Sequence, residues 1–517
     1  ISELNSSPYY FRIDTEETFN SPDLRTSDWF PARVWYVDLE PGTDYYWQVR
    51  SRDNADPPNV SDFYAETGMP GSHWKFRTAL VLHAEDIEST TTGLRWMLDN
   101  YDLEPGDTIY VTPGTYTLSG GPLELTTDDE GDEDNAVRIE GFNGEVILDG
   151  DGITANCLQV TSDYFEINGF SYSNAVGSGI LITGDHNTVQ GGRAFLNGGD
   201  GVEIRGDYNT IRNILAYQNL RAGFRLTAAY RNQLLNNTAT GNGTREIFVE
   251  DSPPNGSIDT TILNNIFYAS GSGITAVYVE DISRTGFDSN YNLLYADGGA
   301  DIGYWGGVVL STFSEWTNAS FQDQSSLNTD PLFVGGGNYR PQSTAGSYKP
   351  GIGWTADGND SPCLDRGDPL SIYYLEPAPS GGRINIGSYG NTLESSLSPL
   401  GGGINLYVND SDESYDYFCS TVGRPWPEHD GLSPDQPLDS IEAVFNHHTI
   451  QTGNTIYIDT GRYELSTPII PPLSGTEPRP LTFAGSPRGS ILDAGGIAAY
   501  CFELDGNDYI TIGGFSL

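Results

Sequence analysis

Between Asp163 and Asp251 apolar and polar residues alternate in short runs that return at a fixed distance. Val202-Glu203-Ile204-Arg205 is typical. Its period of two is that of a strand with one buried face. The apolar pairs Ile180/Ile182, Val202/Ile204, Phe224/Leu226 and Ile247/Val249 hold one place in four successive blocks. Asn187, Asn209 and Asn232 hold a second place, and Asn197, Asn219 and Asn242 a third. The spacing is about 22 residues, inside the window of repeat architectures.

A block this short has too little apolar surface to offset its own ordering entropy, so it must stack on its neighbours. Each block is then one coil of a β-solenoid, with strands of successive coils paired in parallel about 4.8 Å apart. The outcome is an all-β chain. Asparagine suits the corners, where its amide tolerates a left-handed turn and reaches the asparagine of the next coil. A larger repeat lies over this one. NTIYIDTGRYELST at 454–467 matches DTIYVTPGTYTLSG at 107–120, and SILDAGGIAAYCFELDGNDYITIGGFS matches VILDGDGITANCLQVTSDYFEINGFS. Residues 406–517 therefore read as the opening of a second solenoid. Each solenoid needs its first coil covered. A rough helical face over Glu85 to Asn100 (Ile87, Leu94, Met97, Leu98) and another over Asp439 to Asn446 predict two cap helices.

The succession of Asn-Thr-Ile/Val, Asn and Gly-x-x-Ile/Leu resembles the right-handed parallel β-helix of the pectate-lyase-like superfamily, over roughly Asp107 to Ser395. DPLFVGGGNYRPQS and SPCLDRGDP resemble the C-terminal end of secreted β-helix proteins. Upstream, Leu39-Glu40-Pro41-Gly42-Thr43-Asp44-Tyr45-Tyr46-Trp47 resembles the turn and late strand of a fibronectin type III sandwich, with Tyr45 as corner tyrosine. The resemblances imply five segments. These are a partial fibronectin-like sandwich at 1–79, a linker and cap helix at 80–106, a β-helix at 107–397, a Gly/Ser/Pro linker at 398–405 and the start of a second β-helix at 406–517.

The formal charge of −46 argues against nucleic acid or an anionic membrane as partner, and against simple attraction to acidic polysaccharides unless cations bridge. Only Lys75 and Lys349 among 25 basic residues are lysine, an acidic, lysine-poor surface that fits either a salty medium or a skewed genome composition. No apolar run is long enough to span a bilayer. Four cysteines in 517 residues make no disulfide scaffold. Cys157 and Cys501 occupy equivalent places and read as small buried hydrophobes, while Cys363 and Cys419 pair only if their flanking units meet. Opening without methionine and ending in YITIGGFSL, the chain reads as part of something longer.

Candidate chemistry lies on the outward side chains of the coils. With Val202 and Ile204 inward, Glu203, Arg205, Arg225 and Glu250 share an outer face with Phe248 and Tyr278. Such a face suits a polysaccharide, with aromatics against sugar rings and charges meeting hydroxyls. The plainer reading is a cross-strand ion pair of Glu203 with Arg225. Asp128, Asp129, Asp132 and Asp134 crowd one loop and are candidates for Ca²⁺, although their spacing matches no EF-hand and a run of like charges is usually a solvated loop. His186 reads as a corner residue, and His447 and His448 as surface residues of the second cap. The sequence thus points to an extracellular or cell-surface module for structure or adhesion that contacts polysaccharide. The alternative is a polysaccharide-degrading enzyme, a uronate lyase before a glycoside hydrolase.

Overall fold

A computed structural model describes residues 4–27, 39–53, 74–88, 93–142, 144–399, 403–412, 415–476, 479–494, 500–504 and 506–516. Its contacts divide the chain into two compact units, Ile1–Thr112 with Leu125–Phe142 and Ser162–Ile167, and Pro113–Glu124 with Asn143–Thr161 and Asn168–Leu517.

The first unit contains an antiparallel sheet of Leu4–Asp14, Arg25–Thr26, Asp44–Asp53 and Trp74–Arg77. Tyr45 is buried, and its hydroxyl accepts a hydrogen bond from the Glu40 backbone N–H at 3.0 Å. The run ARVWYVDL at 32–39, whose alternation of apolar and polar residues reads as a strand, falls almost entirely outside the described residues. A parallel set, Val81–Ala84, Thr108–Val111 and Val137–Gly141, belongs to the same unit. Helix α1 spans only Leu94–Asn100, burying Leu94 and Met97. Ile87, expected on its face, is buried ahead of the helix.

In the second unit, Thr188–Gln190, Arg193–Phe195 and Val202–Ile204 form one coil, and Thr210–Arg212, Leu215–Tyr217 and Ala222–Thr227 the next. Equivalent strands pair in parallel and build three sheets, called first, second and third in that order. Thr188 faces Thr210 and Thr210 faces Gln233, giving coils of 22 and 23 residues. The pairings of Gln233 with Thr261 and Thr261 with Asp288 lengthen the next coils to 28 and 27. Stacked columns fill the interior: Val189, Ile211, Leu234 and Ile262 from the first sheet, Ala194, Ala216 and Ala239 from the second, Val202, Phe224 and Ile247 from the third, all buried. Each large apolar side chain so placed contributes about 1.5–3 kcal/mol.

Three asparagine ladders close the corners. The Asn187 N–H donates to Asn209 Oδ1 and the Asn209 N–H to Asn232 Oδ1, both at 2.8 Å. Asn197, Asn219 and Asn242 repeat the scheme, and so do Asn237, Asn265 and Asn292. These asparagines point inward and are buried. The left-handed backbone belongs to the residue before each one, such as His186, Tyr208 and Arg231 (φ 57°, 57° and 54°). The expectation that the ladder asparagines themselves take the turn is therefore corrected. A buried amide must satisfy its own donors and acceptor, and the preceding residue supplies the reversal that turns it inward.

Helix α2, Phe313–Ser320, begins with a capping box of Thr312 and Glu315. It seats Trp316 against Gly303, where a Cβ would come within 2.2 Å of the indole. The irregular stretch after it lies over the outer side of the second sheet. Leu327, Phe333, Cys363 and Ile386 pack on Ile266, Tyr268, Leu293 and Tyr295. Asn213, Asn236 and Asn264 fix this cover: Asn213 Nδ2 donates to the Ser388 and Gly390 carbonyls, Asn236 Nδ2 to that of Asn385, and Asn264 Oδ1 accepts from the Asp368 N–H.

The second solenoid opens with parallel strands Asn405–Val408, Thr455–Ile458, Leu481–Gly485 and Ile510–Gly513 beside Gly461–Glu464, Ser490–Asp493 and Phe515–Ser516. Helix α3, Ile441–His447, covers its core with Ile441 and Val444.

Candidate functional site

The outer column of the third sheet runs Leu181, Glu203, Arg225, Phe248, Tyr278, Tyr304, each directly opposite the next. Parallel pairing in register puts residues more than twenty apart in sequence side by side. Thr227 and Glu250 pair in the adjacent column. All six residues predicted for this face, Glu203, Arg205, Arg225, Phe248, Glu250 and Tyr278, thus meet in one patch.

Their pairing differs from the expectation. Arg225 binds Glu250, with Nη2 at 2.5 Å and Nε at 2.9 Å from Oε2, and Thr227 Oγ1 donates to the same oxygen at 2.7 Å. Its Nη1 lies 3.5 Å from Asp200 and 3.9 Å from Glu203. Glu203 turns to Arg205, at 2.6 Å, and takes the Ser178 hydroxyl at 2.8 Å. The expected Glu203–Arg225 pair is therefore the longest contact of a network. Arg205, two residues along the same strand, reaches Glu203 more directly.

Burial also differs from a freely exposed face. Glu203 and Phe248 are 7 % and 8 % exposed, because long side chains on neighbouring coils lie across one another. Burial lowers the proton affinity of Arg225, but Glu250, Asp200 and Glu203 outweigh it and keep the guanidinium charged. Burial holds the Asp200 carboxyl above the usual range, against the pull of the Ala222 N–H, Arg221 and Arg225.

Beyond Arg225 the column turns aromatic. Phe248 meets Tyr278 edge to face at 5.2 Å, and Tyr278 stacks on Tyr304 at 3.9 Å. The Arg245 guanidinium lies 4.3 Å from the Phe248 ring centre and 4.0 Å from that of Tyr278. Sequence reasoning missed Asp200, Arg245 and Tyr304. Counting one coil on from Tyr278 finds Tyr304, whereas Asp200 sits in a Gly-Gly-Asp-Gly turn with no period to mark it.

The four loop aspartates do not converge. Asp129 is buried and caps the Leu103 N–H at 2.9 Å, while Asp132 Oδ1 accepts from the backbone of Asp134 and Asn135 at 3.0 and 2.7 Å. Among the described residues no group of three or more His, Cys, Asp or Glu is arranged to hold a metal ion. His186 stacks flat on Tyr208 at 4.6 Å at its corner. His447 stacks on Trp426 at 4.9 Å, and the His448 ring meets the Asp430 carbonyl at 2.6 Å. All four cysteines are free thiols, and burial pushes Cys157 and Cys363 up to about 12. A groove of about 530 Å³ runs past Asn174, Leu196, Gln218 and Leu220 at the corner between the second and third sheets, apart from the patch.

The family described as right handed beta helix region matches residues 154–313, and the solenoid is a right-handed parallel β-helix. Solved structures with a similar fold include pectate lyase Pel9A, at 16 % identity over 60 % of this chain and 96 % of that one, with a TM-score of 0.35. An alginate lyase from Paenibacillus sp. str. FPU-7 is 18 % identical over 45 % and 98 %, with a TM-score of 0.32. A PL6 family polysaccharide lyase from Pseudopedobacter saltans is 12 % identical over 84 % and 92 %, also at 0.32. No curated protein matches the sequence. Among the described residues no helix is long and apolar enough to cross a membrane.

Proposed function

We propose that this chain is part of an extracellular protein in which tandem β-helices, preceded by a fibronectin-like spacer, present a polysaccharide-binding surface for attachment or matrix structure. The observation that supports it is the patch itself. Glu203, Arg205, Arg225 and Glu250 come together beside the aromatic column of Phe248 and Tyr278, carboxylates and guanidiniums next to ring surface, a combination suited to a hydroxyl-rich ligand. Native gels cast with soluble polysaccharides test the reading. Retarded migration that is lost in Tyr278→Ala at unchanged melting temperature is expected; migration indifferent to every polymer overturns it.

An enzymatic reading draws on Arg225, a permanently charged group among three carboxylates. A uronate lyase needs such a cation to neutralise the substrate carboxylate, and a base to take the C5 proton. Incubation with polygalacturonate or alginate separates the two readings. Absorbance rising near 232 nm establishes elimination, and a flat trace with gel retardation leaves a binder.

A further inference from the structure

Resting on the polysaccharide reading of the same patch, we infer that its ligand is a neutral glycan and not a polyuronate. The charges around the column cancel. Asp200, Glu203 and Glu250 surround Arg225, and Glu203 also holds Arg205. Glu280, which accepts from the Asp251 N–H at 2.8 Å, is the fourth carboxylate, and Arg245 lies over Phe248 and Tyr278. With Arg221, which also pulls on Asp200, four carboxylates stand against four guanidiniums.

Two of those guanidiniums are already in ion pairs at hydrogen-bond distance. The third lies over two ring faces, which hold it in place by cation–π attraction, so a uronate would have to draw it off them. A uronate chain brings one negative charge per residue. To bind, it would have to break pairs formed at 2.5 and 2.6 Å and set its own carboxylates beside the released Glu250 and Glu203. The chain as a whole carries −46, so its long-range field opposes the same approach.

A neutral sugar meets no such barrier. Its hydroxyls donate to carboxylate oxygens, for which Glu250 has Oε1 left over, since Oε2 takes the three bonds from Arg225 and Thr227. The half-buried Tyr278 and Tyr304 add ring surface and two hydroxyls that hydrogen-bond each other. Val309, opposite Tyr304 on the next strand and 57 % exposed, extends the apolar contact for the carbon-bound face of a pyranose.

The test uses the intact chain in affinity gels containing either neutral polymers (xyloglucan, mixed-linkage β-glucan, galactomannan) or uronate polymers (polygalacturonate, alginate), at 50 and 500 mM NaCl. Retardation by a neutral polymer is expected, equal within twofold at the two salt concentrations, with no retardation by either uronate. Tyr304→Phe, which keeps the ring, is expected to weaken binding about fivefold at unchanged melting temperature. Retardation by uronates, or binding that falls tenfold with salt, overturns the neutral-ligand inference and leaves the polysaccharide reading standing. Indifference to all polymers overturns the polysaccharide reading itself.

Discussion

Tyr374, in the cover of the first solenoid, lies against Gly513 in the second, where a Cβ would stand 2.5 Å from its ring. Beside it the Tyr373 hydroxyl meets Thr511 Oγ1 at 2.9 Å, and Leu375 packs with Tyr457 and Ala484. The joint between the solenoids is therefore specific, made by Tyr373, Tyr374 and Leu375 on one side and Gly513, Thr511, Tyr457 and Ala484 on the other.

Gly513→Val should break this joint. Overpacking of this kind costs about 1–3 kcal/mol, so thermal unfolding is expected to shift down and to separate into two steps. Tyr374→Ala in the same chain should restore a single transition. Failure of that rescue would mean that the valine acts through its own strand.

Asn219 joins two neighbours of its ladder: it accepts from the Asn197 N–H and amide and donates to the Ala194 carbonyl and Asn242 Oδ1. Asn219→Ala strands buried groups on both sides and should cost about 2–3 kcal/mol. Exposed Gln218→Ala, one residue away, should cost under about 1 kcal/mol. Urea unfolding of the two variants checks the contrast, and equal losses would contradict the ladder's structural role.

Glu246 is fully buried, and burial raises its carboxyl to about 8 against weaker lowering by Asn242. Folding therefore favours its protonated form. The stability this gives is complete below about pH 4.5 and declines as the pH rises towards 8, with a slope approaching about 1.4 kcal/mol per unit. Glu376 is raised to about 8 by the same cause and adds a similar slope. Glu246→Gln should accordingly be more stable than the parent near pH 8, with a shallower pH dependence between 5 and 8. An unchanged slope would show that Glu246 is ionised in the folded chain.

Arg225 holds Asp200, whose side chain is only 2 % exposed. Arg225→Met takes the close partner from Glu250 and leaves the buried Asp200 with Arg221 alone, and should cost about 3 kcal/mol. Arg205→Met, at a guanidinium 53 % exposed, should cost well under about 1 kcal/mol. A melting series would reverse this ranking only if Asp200 takes up a proton without penalty.

The thiols of Cys157 and Cys363 are buried and held protonated. A thiol reagent at pH 8 should label neither until the chain is unfolded, and dithiothreitol should leave the melting temperature unchanged. Rapid labelling of either cysteine in the native chain would place it at the surface.

The solenoid was legible because its information is periodic. Val202 facing Phe224 and Glu203 facing Arg225 follow from counting one coil. The same counting brings Phe248 and Tyr278 to the patch, yet it cannot tell which carboxylate Arg225 prefers, since that depends on side chains lying down across coils. Asp200 entered from a turn. The left-handed positions were misread by one residue because polarity suggests asparagine, while geometry gives the turn to residues as unlike as His186 and Leu196. Residues after Leu327 carry no period, so their place over the second sheet had no signature beyond Asn213, Asn236 and Asn264. These three repeat like the ladder asparagines but turn outward.

That covering segment makes the module's solubility depend on its intactness. Ile266, Leu293, Tyr268 and Tyr295 form a sticky wall that is wetted only if the flap comes away. A single proteolytic cut that freed it would leave the coils wound while turning one side of the tube into a surface that seeks other copies.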